Sequence, residues 1–109
     1  MVKVIVTPSA IGDAKEIFGY YESCSSHHFA KQLLKEFIAY ARRLEQMPEI
    51  GPKEPLLEQY DKNYRYVLVQ RRYKLIYLYE KQTCTILMVW DCKQNPKRLK
   101  TATGLNLES

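Results

Sequence analysis

Long hydrophobic runs are missing from this chain of 109 residues. No stretch approaches the roughly 18 apolar residues that span a bilayer, which excludes a transmembrane helix. Residues 1–7 alternate too much and end too soon to be a signal peptide. Cysteine is scarce and odd in number, with Cys24, Cys84 and Cys92 lacking metal-ligand spacing. Cys84 and Cys92 fall on one strand and its exit, too far apart to bridge. Reduced thiols in a cytoplasmic compartment are therefore expected, each packing as a small hydrophobe. Only four glycines are present, and none forms a phosphate-cradling loop. There is no HExxH, and His27 and His28 are neighbours, so on a helix they point about 100° apart and cannot share a metal. These absences exclude the familiar nucleotide-, zinc- and cofactor-dependent chemistries. No metal, small-molecule cofactor or membrane partner is expected.

Basic charge is in excess. Seventeen Lys and Arg face twelve Asp and Glu, a formal charge of +5. That balance suits an acidic partner such as nucleic acid or an acidic protein segment. Hydrophobic residues make up 46% of the chain, enough for one core and not two. Residues 1–100 read as a single domain and 101–109 as a frayed tail.

Residues 2–6 read as a short β-branched strand. Thr7 and Pro8 then signal a helix start, a capping hydroxyl followed by a residue without an N–H to satisfy. Ile11, Ala14, Phe18 and Tyr21 recur at helical spacing as an apolar stripe. Ser25 and Ser26 break that helix and lead into a second, over residues 27–46. Its core face is Phe29, Ala30, Leu33, Phe37, Ala41 and Leu44, and Pro48 and Pro52 end it. The two should form an antiparallel helix hairpin. Residues 47–63 are a Pro-rich connection with one helical turn near Leu56 and Leu57. Beyond it the period changes to two. Residues 64–69, 73–80 and 84–90 read as three strands, separated by gaps short enough only for hairpins. The expected fold is α+β, a strand and helix hairpin packed on a mainly antiparallel sheet completed by a three-strand meander. The basic segment that follows, with Lys93, Lys97, Arg98 and Lys100, is expected to pack back over the sheet.

The meander carries the candidate site. Arg65 and Lys74 each head an alternating set of apolar residues, Arg71 and Arg72 occupy the turn, and Lys93 follows the last strand. Tyr64, Tyr66, Tyr73, Tyr77 and Tyr79 are interleaved with these cations. Aromatics beside Arg and Lys can stack bases while cations hold phosphates.

Two stretches resemble the RelE/ParE superfamily of bacterial type II toxins. Residues 64–77, YRYVLVQRRYKLIY, resemble the family's hairpin, and residues 86–99, ILMVWDCKQNPKRL, its last strand and exit. The strand, the helix pair and the Pro-Gly break after it match in kind, so the likeness covers nearly the whole chain. The resemblance implies a toxin neutralised by a cognate antitoxin. It also implies one of two targets. RelE-like members cut mRNA on the ribosome without a metal, and ParE-like members poison DNA gyrase and are not nucleases. On the first reading Arg65, Lys74 and Lys93 match catalytic cations, with Tyr73, Tyr64 or no residue as acid, and Arg71, Arg72, Tyr73, Lys97 and Arg98 as substrate contacts. Fixed cations suit that role because in-line attack gathers negative charge on the phosphate. This sequence departs from the nuclease pattern at Val67, where a second Lys would stand, and at Leu99, near a C-terminal acid or base. Residues 91–99 resemble the ParE side. A non-toxic RNA- or protein-binding module on the same scaffold is the third reading.

Overall fold

The computed structural model describes residues 2–93. Seven elements follow in order: strand β1 (Lys3–Val6), helices α1 (Pro8–Ser23) and α2 (His27–Gln46), a 3₁₀ helix (Pro55–Tyr60), and strands β2 (Tyr64–Val69), β3 (Tyr73–Glu80) and β4 (Thr83–Asp91). The α+β expectation holds, including the helical turn at Leu56–Leu57. The last strand runs one residue further at each end than its sequence pattern. The expected placement of the basic segment, and of the tail from residue 101, lies outside the described residues.

Local chemistry sets the boundaries. Thr7 caps α1, its Oγ1 accepting from Ala10 N at 3.1 Å, and Pro8 takes the first helical position. Ser25, at φ 60°, turns the chain into α2. Both hairpin corners of the meander place two residues at positive φ, Gln70 and Arg71 at 55° and 54°, Lys81 and Gln82 at 52° and 60°. Type I′ corners require this, and they normally carry Asn or Gly. Here residues with a Cβ stand at all four positions and carry that strain, and Arg72 N donating to Val69 O at 3.1 Å closes the first corner.

The sheet order is β1-β4-β3-β2, with β1 parallel to β4 and the other pairs antiparallel. Helices α1 and α2 cover one face. Leu33, Phe37 and Leu44 from α2 pack there against Val67, Val69, Leu75, Tyr77 and Ile86. Full burial of each such side chain contributes about 1.5–3 kcal/mol. The opposite face carries a second cluster, Leu57, Tyr64, Ile76, Met88 and Trp90, roofed by the 3₁₀ helix. One expected stripe member is displaced. Ala10, not Ile11, is the buried residue at the start of α1, and Ile11 is 44% exposed. The helix turns Ile11 to the mouth of a groove between α1 and α2.

Two irregularities shape the edges. The register passes from Ile76↔Met88 to Tyr77↔Ile86, so Leu87 is an extra residue in β4. The bulge falls where β1 ends, and Thr7 takes over there. Its N donates to Ile86 O and its Oγ1 to Leu87 O, both at 3.1 Å. On the far side, residues 52–54 run along β2 as a partial edge strand. Tyr66 N donates to Pro52 O at 3.1 Å and Glu54 N to Tyr64 O at 2.9 Å.

Candidate functional site

The predicted cations do not converge. Val69 pairs with Tyr73, which sets Arg65 opposite Tyr77 and Lys74 opposite Leu68. Arg65 therefore shares the helix-covered face with Val67 and Val69, and Lys74 shares the other face with Ile76. Each is also occupied. The Arg65 guanidinium donates to Asn63 Oδ1 at 3.0 Å, Gly51 O at 2.7 Å and Glu49 Oε2 at 3.2 Å. It is a clamp on the loop after α2. Lys74 Nζ donates to Glu54 Oε1 at 2.8 Å and sits 4.3 Å from the centre of the Tyr66 ring. The Glu54 side chain is fully buried, and its other oxygen accepts from Leu56 N at 3.0 Å.

Arg72 is held too. It grips Asp91 through two bonds, Nε to Oδ1 at 3.1 Å and a terminal nitrogen to Oδ2 at 2.9 Å. The hydrogen bond from Arg72 pulls the Asp91 carboxyl below its ordinary range, against some desolvation. Its folded value is therefore depressed. The resulting stability is present above the ordinary carboxylate range and is lost as pH falls through the lowered value. Asp91→Asn should accordingly flatten the acid limb of a stability-versus-pH curve. An unchanged acid limb in urea titrations would refute that role.

Tyr73 is buried, and its hydroxyl meets that of Tyr21 at 2.8 Å. Burial and that bond push its ionisation upward. Tyr64 and Tyr77 are buried as well, so three of the five tyrosines expected beside the cations are core and cannot stack bases. Strand alternation placed them inward, which a count of tyrosines near cations does not register. Tyr20, next to Tyr21 on α1, is 60% exposed. Of the other predicted residues, Arg71 and Lys93 are exposed at the same end of the sheet. Lys97 and Arg98 lie outside the described residues.

An apolar groove on the helix side was not foreseen. A groove of about 390 Å³ runs between α1 and α2 over the sheet, with Val6, Ile11, Leu34 and Ile38 at its mouth and Phe37 and Val89 deeper. Those four mouth residues are 43%, 44%, 43% and 46% exposed. Leu34 and Ile38 are four apart on α2 and lie off its core stripe. That surplus apolar pair was the available signal. Lys15 lines the groove, and the exposed Lys31, Lys35 and Arg42 stand along the same outer side of α2. β1, beside it, is an edge strand of the sheet. Among the described residues no three His, Cys, Asp or Glu cluster as a metal site, and no helix is long and apolar enough to cross a membrane.

The family described as the ParE toxin of type II toxin–antitoxin systems, parDE, matches residues 4–96. The chain belongs to this ParE toxin family. Its fold is that of a solved chain from the chromosomal ParDE TA system of P. aeruginosa, with a TM-score of 0.67 and 16% identity. That likeness covers 84% of this chain and 96% of the other. No curated protein matches. Membership places the chain among the toxins of type II toxin–antitoxin systems.

Proposed function

We propose that this ParE-family toxin arrests growth by a protein contact on DNA gyrase rather than by cutting mRNA, and that an acidic antitoxin neutralises it. One observation carries the choice of target. Arg65 and Lys74 stand on opposite faces of the sheet, and Arg65, Lys74 and Arg72 each face a carboxylate. Metal-free cleavage needs several cations fixed around one phosphate, where they are worth most in a water-poor site. Cations on two faces cannot reach one phosphate, and neutralised cations add little to its charge balance. The departures at Val67 and Leu99 support the same reading.

Ribosome-dependent cleavage remains the second reading. It is favoured by the exposed Arg71 and Lys93, which lie near each other because Cys92 N donates to Arg72 O at 2.8 Å. Induced expression with mapping of mRNA 5′ ends separates the two, alongside a supercoiling assay with purified gyrase. Unimpaired supercoiling together with new ends confined to translated frames would overturn the gyrase reading. Growth unaffected by expression would instead favour a non-toxic binding module.

The groove between α1 and α2 supports the antitoxin. An amphipathic helix with acidic flanks would bury its apolar face on Leu34 and Ile38 and set carboxylates toward Lys15 and Lys35. Attraction between an acidic chain and this +5 domain would speed the encounter. Ile38→Glu should preserve folding and toxicity yet weaken antitoxin binding by about 30-fold or more, the effect of losing a central anchor. Co-expression reads this directly: the antitoxin rescues cells making the parent toxin and fails to rescue those making the variant.

A further inference from the structure

Three cations of the meander are taken up by the fold, and those of α2 are not. Arg65, Arg72 and Lys74 each face a carboxylate, whereas among the described residues Lys31, Lys35, Arg42, Arg43 and Arg71 are in no ion pair. All five are exposed. Residues 27–44 contain one acidic side chain, Glu36, and it accepts a hydrogen bond from Gln70 Nε2. That bond seats the β2–β3 corner against α2, so Arg71, next in the chain, joins the helix's own cations. Lys31, Lys35 and Arg42 fall within about 40° of one another around the helix, opposite the buried Leu33, Phe37 and Leu44. At about 1.5 Å per residue they form a row roughly 16 Å long. Lys31 and Lys35, four residues apart, repel each other and weakly oppose the helix that carries them. Residues 94–109 add to the positive excess rather than balance it, with Lys97, Arg98 and Lys100 against one acidic side chain, Glu108.

We propose that this face, the outer side of α2 with the β2–β3 corner, binds the sugar–phosphate backbone of duplex DNA. Three observations favour that partner over RNA or protein. The row is straight and rigid because one helix carries it, and its length matches roughly five phosphates of one strand at about 3.4 Å per step. The face also offers no free ring. Single strands are gripped by stacking their bases on aromatics. The Tyr40 ring beside the row is half-buried, with the Arg43 guanidinium over it at 5.8 Å from the ring centre. Lastly, the face lacks an anchor for a protein. A shallow depression of about 440 Å³ along α2, lined by His28, Lys31, Gln32, Lys35, Glu36 and Ala39, holds no large apolar side chain. Cations on phosphates position a protein on DNA without reading its sequence. This contact is additional to the one proposed on gyrase.

Fluorescence anisotropy of a labelled duplex of random sequence, titrated with the full chain at several salt concentrations, tests this. Affinity should fall as salt rises, by about one unit of log–log slope per phosphate contacted. Lys31→Gln with Lys35→Gln should flatten that slope by about two and weaken binding about tenfold at low salt. Lys62→Gln with Lys81→Gln removes the same charge from exposed positions at the other end of the meander. That variant should stay within about twofold of the parent, since screening confines the effect of a remote charge. Arg71→Gly separates binding from folding. Arg71 holds φ 54°, which glycine adopts without strain, so the variant should resist urea better than the parent. It should nonetheless bind the duplex about threefold more weakly, having lost one phosphate contact. A parent chain that leaves the duplex unbound at low salt overturns the proposal, as does equal loss from the two double variants. Tighter binding to single-stranded RNA of the same length, or to polyglutamate, overturns it in favour of an RNA or an acidic protein. Gyrase is absent from the assay, so failure of the gyrase reading leaves its outcome intact.

Discussion

Alanine at Gly51 should cost about 3 kcal/mol or more and leave the domain largely unfolded near 37 °C, because the site has no space for one more carbon. A Cβ there would lie 2.1 Å from Tyr66 O and 2.8 Å from its carbonyl carbon. Both are backbone atoms of a strand whose neighbours are fixed. Tyr66 N is bound to Pro52 O, and Arg65 donates to Gly51 O. Gly51 N donates to the hydroxyl of Tyr77, which itself donates to Pro48 O at 2.7 Å. Moving Gly51 away would therefore break a buried tyrosine from two partners. The two glycines of α1 give the contrast. A Cβ at Gly12 or Gly19 meets nothing within 4 Å, so alanine there should stabilise by up to about 1 kcal/mol through helix propensity. Urea midpoints of the three variants check this. A Gly51→Ala midpoint close to the parent's would show that the loop after α2 is free to shift, and that Arg65 is not its clamp.

That loop marks where the sequence stopped being legible. The helices and the meander could be read because their periods, 3.6 and 2, are imposed by one apolar face each. The residues around Pro48, Pro52 and Pro55 carry no period, so they read as a plain connection. In the fold they instead seal the outer edge of β2, a role visible only once Arg65, Tyr66 and Tyr77 are placed beside them. The parallel pairing of β1 with β4 was likewise illegible. It joins residues 80 apart, such as Lys3 and Thr83, and rests on no local signal. The bulge at Leu87 has the same character, since it serves the end of β1. The candidate site was half legible. The cations were found at their positions, but their separation depends on register. Once Val69 faces Tyr73, Lys74 must lie on the side of the sheet away from Arg65. What made the cations look catalytic, their position at strand ends beside tyrosines, is also what a clamp and a buried pair require.

The Lys74–Glu54 pair turns that ambiguity into a measurement. Lys74→Ala would strand a carboxylate that is fully buried and keeps only the Leu56 amide as a donor. Removing one partner of such a pair costs about 3–5 kcal/mol. Glu54→Ala should cost less, because Lys74 is 19% exposed and can carry its ammonium to water. Replacing both, Lys74→Met with Glu54→Leu, removes the charge and its counter-charge together. It should fall within about 1–2 kcal/mol of the parent, the remainder being the cap lost from Leu56 N. Chemical denaturation of all four proteins gives the coupling, and a Lys74→Ala variant as stable as the parent would refute the pairing. The same set separates folding from chemistry. Lys74→Ala is expected to lose toxicity whatever the target, since little of it would be folded in the cell. The double variant is stable and has no cation at position 74. Retained growth arrest by that protein means Lys74 neutralises no phosphate, as a gyrase-directed toxin requires. A folded, harmless double variant would instead return Lys74 to the chemistry and strengthen the case for RNA cleavage.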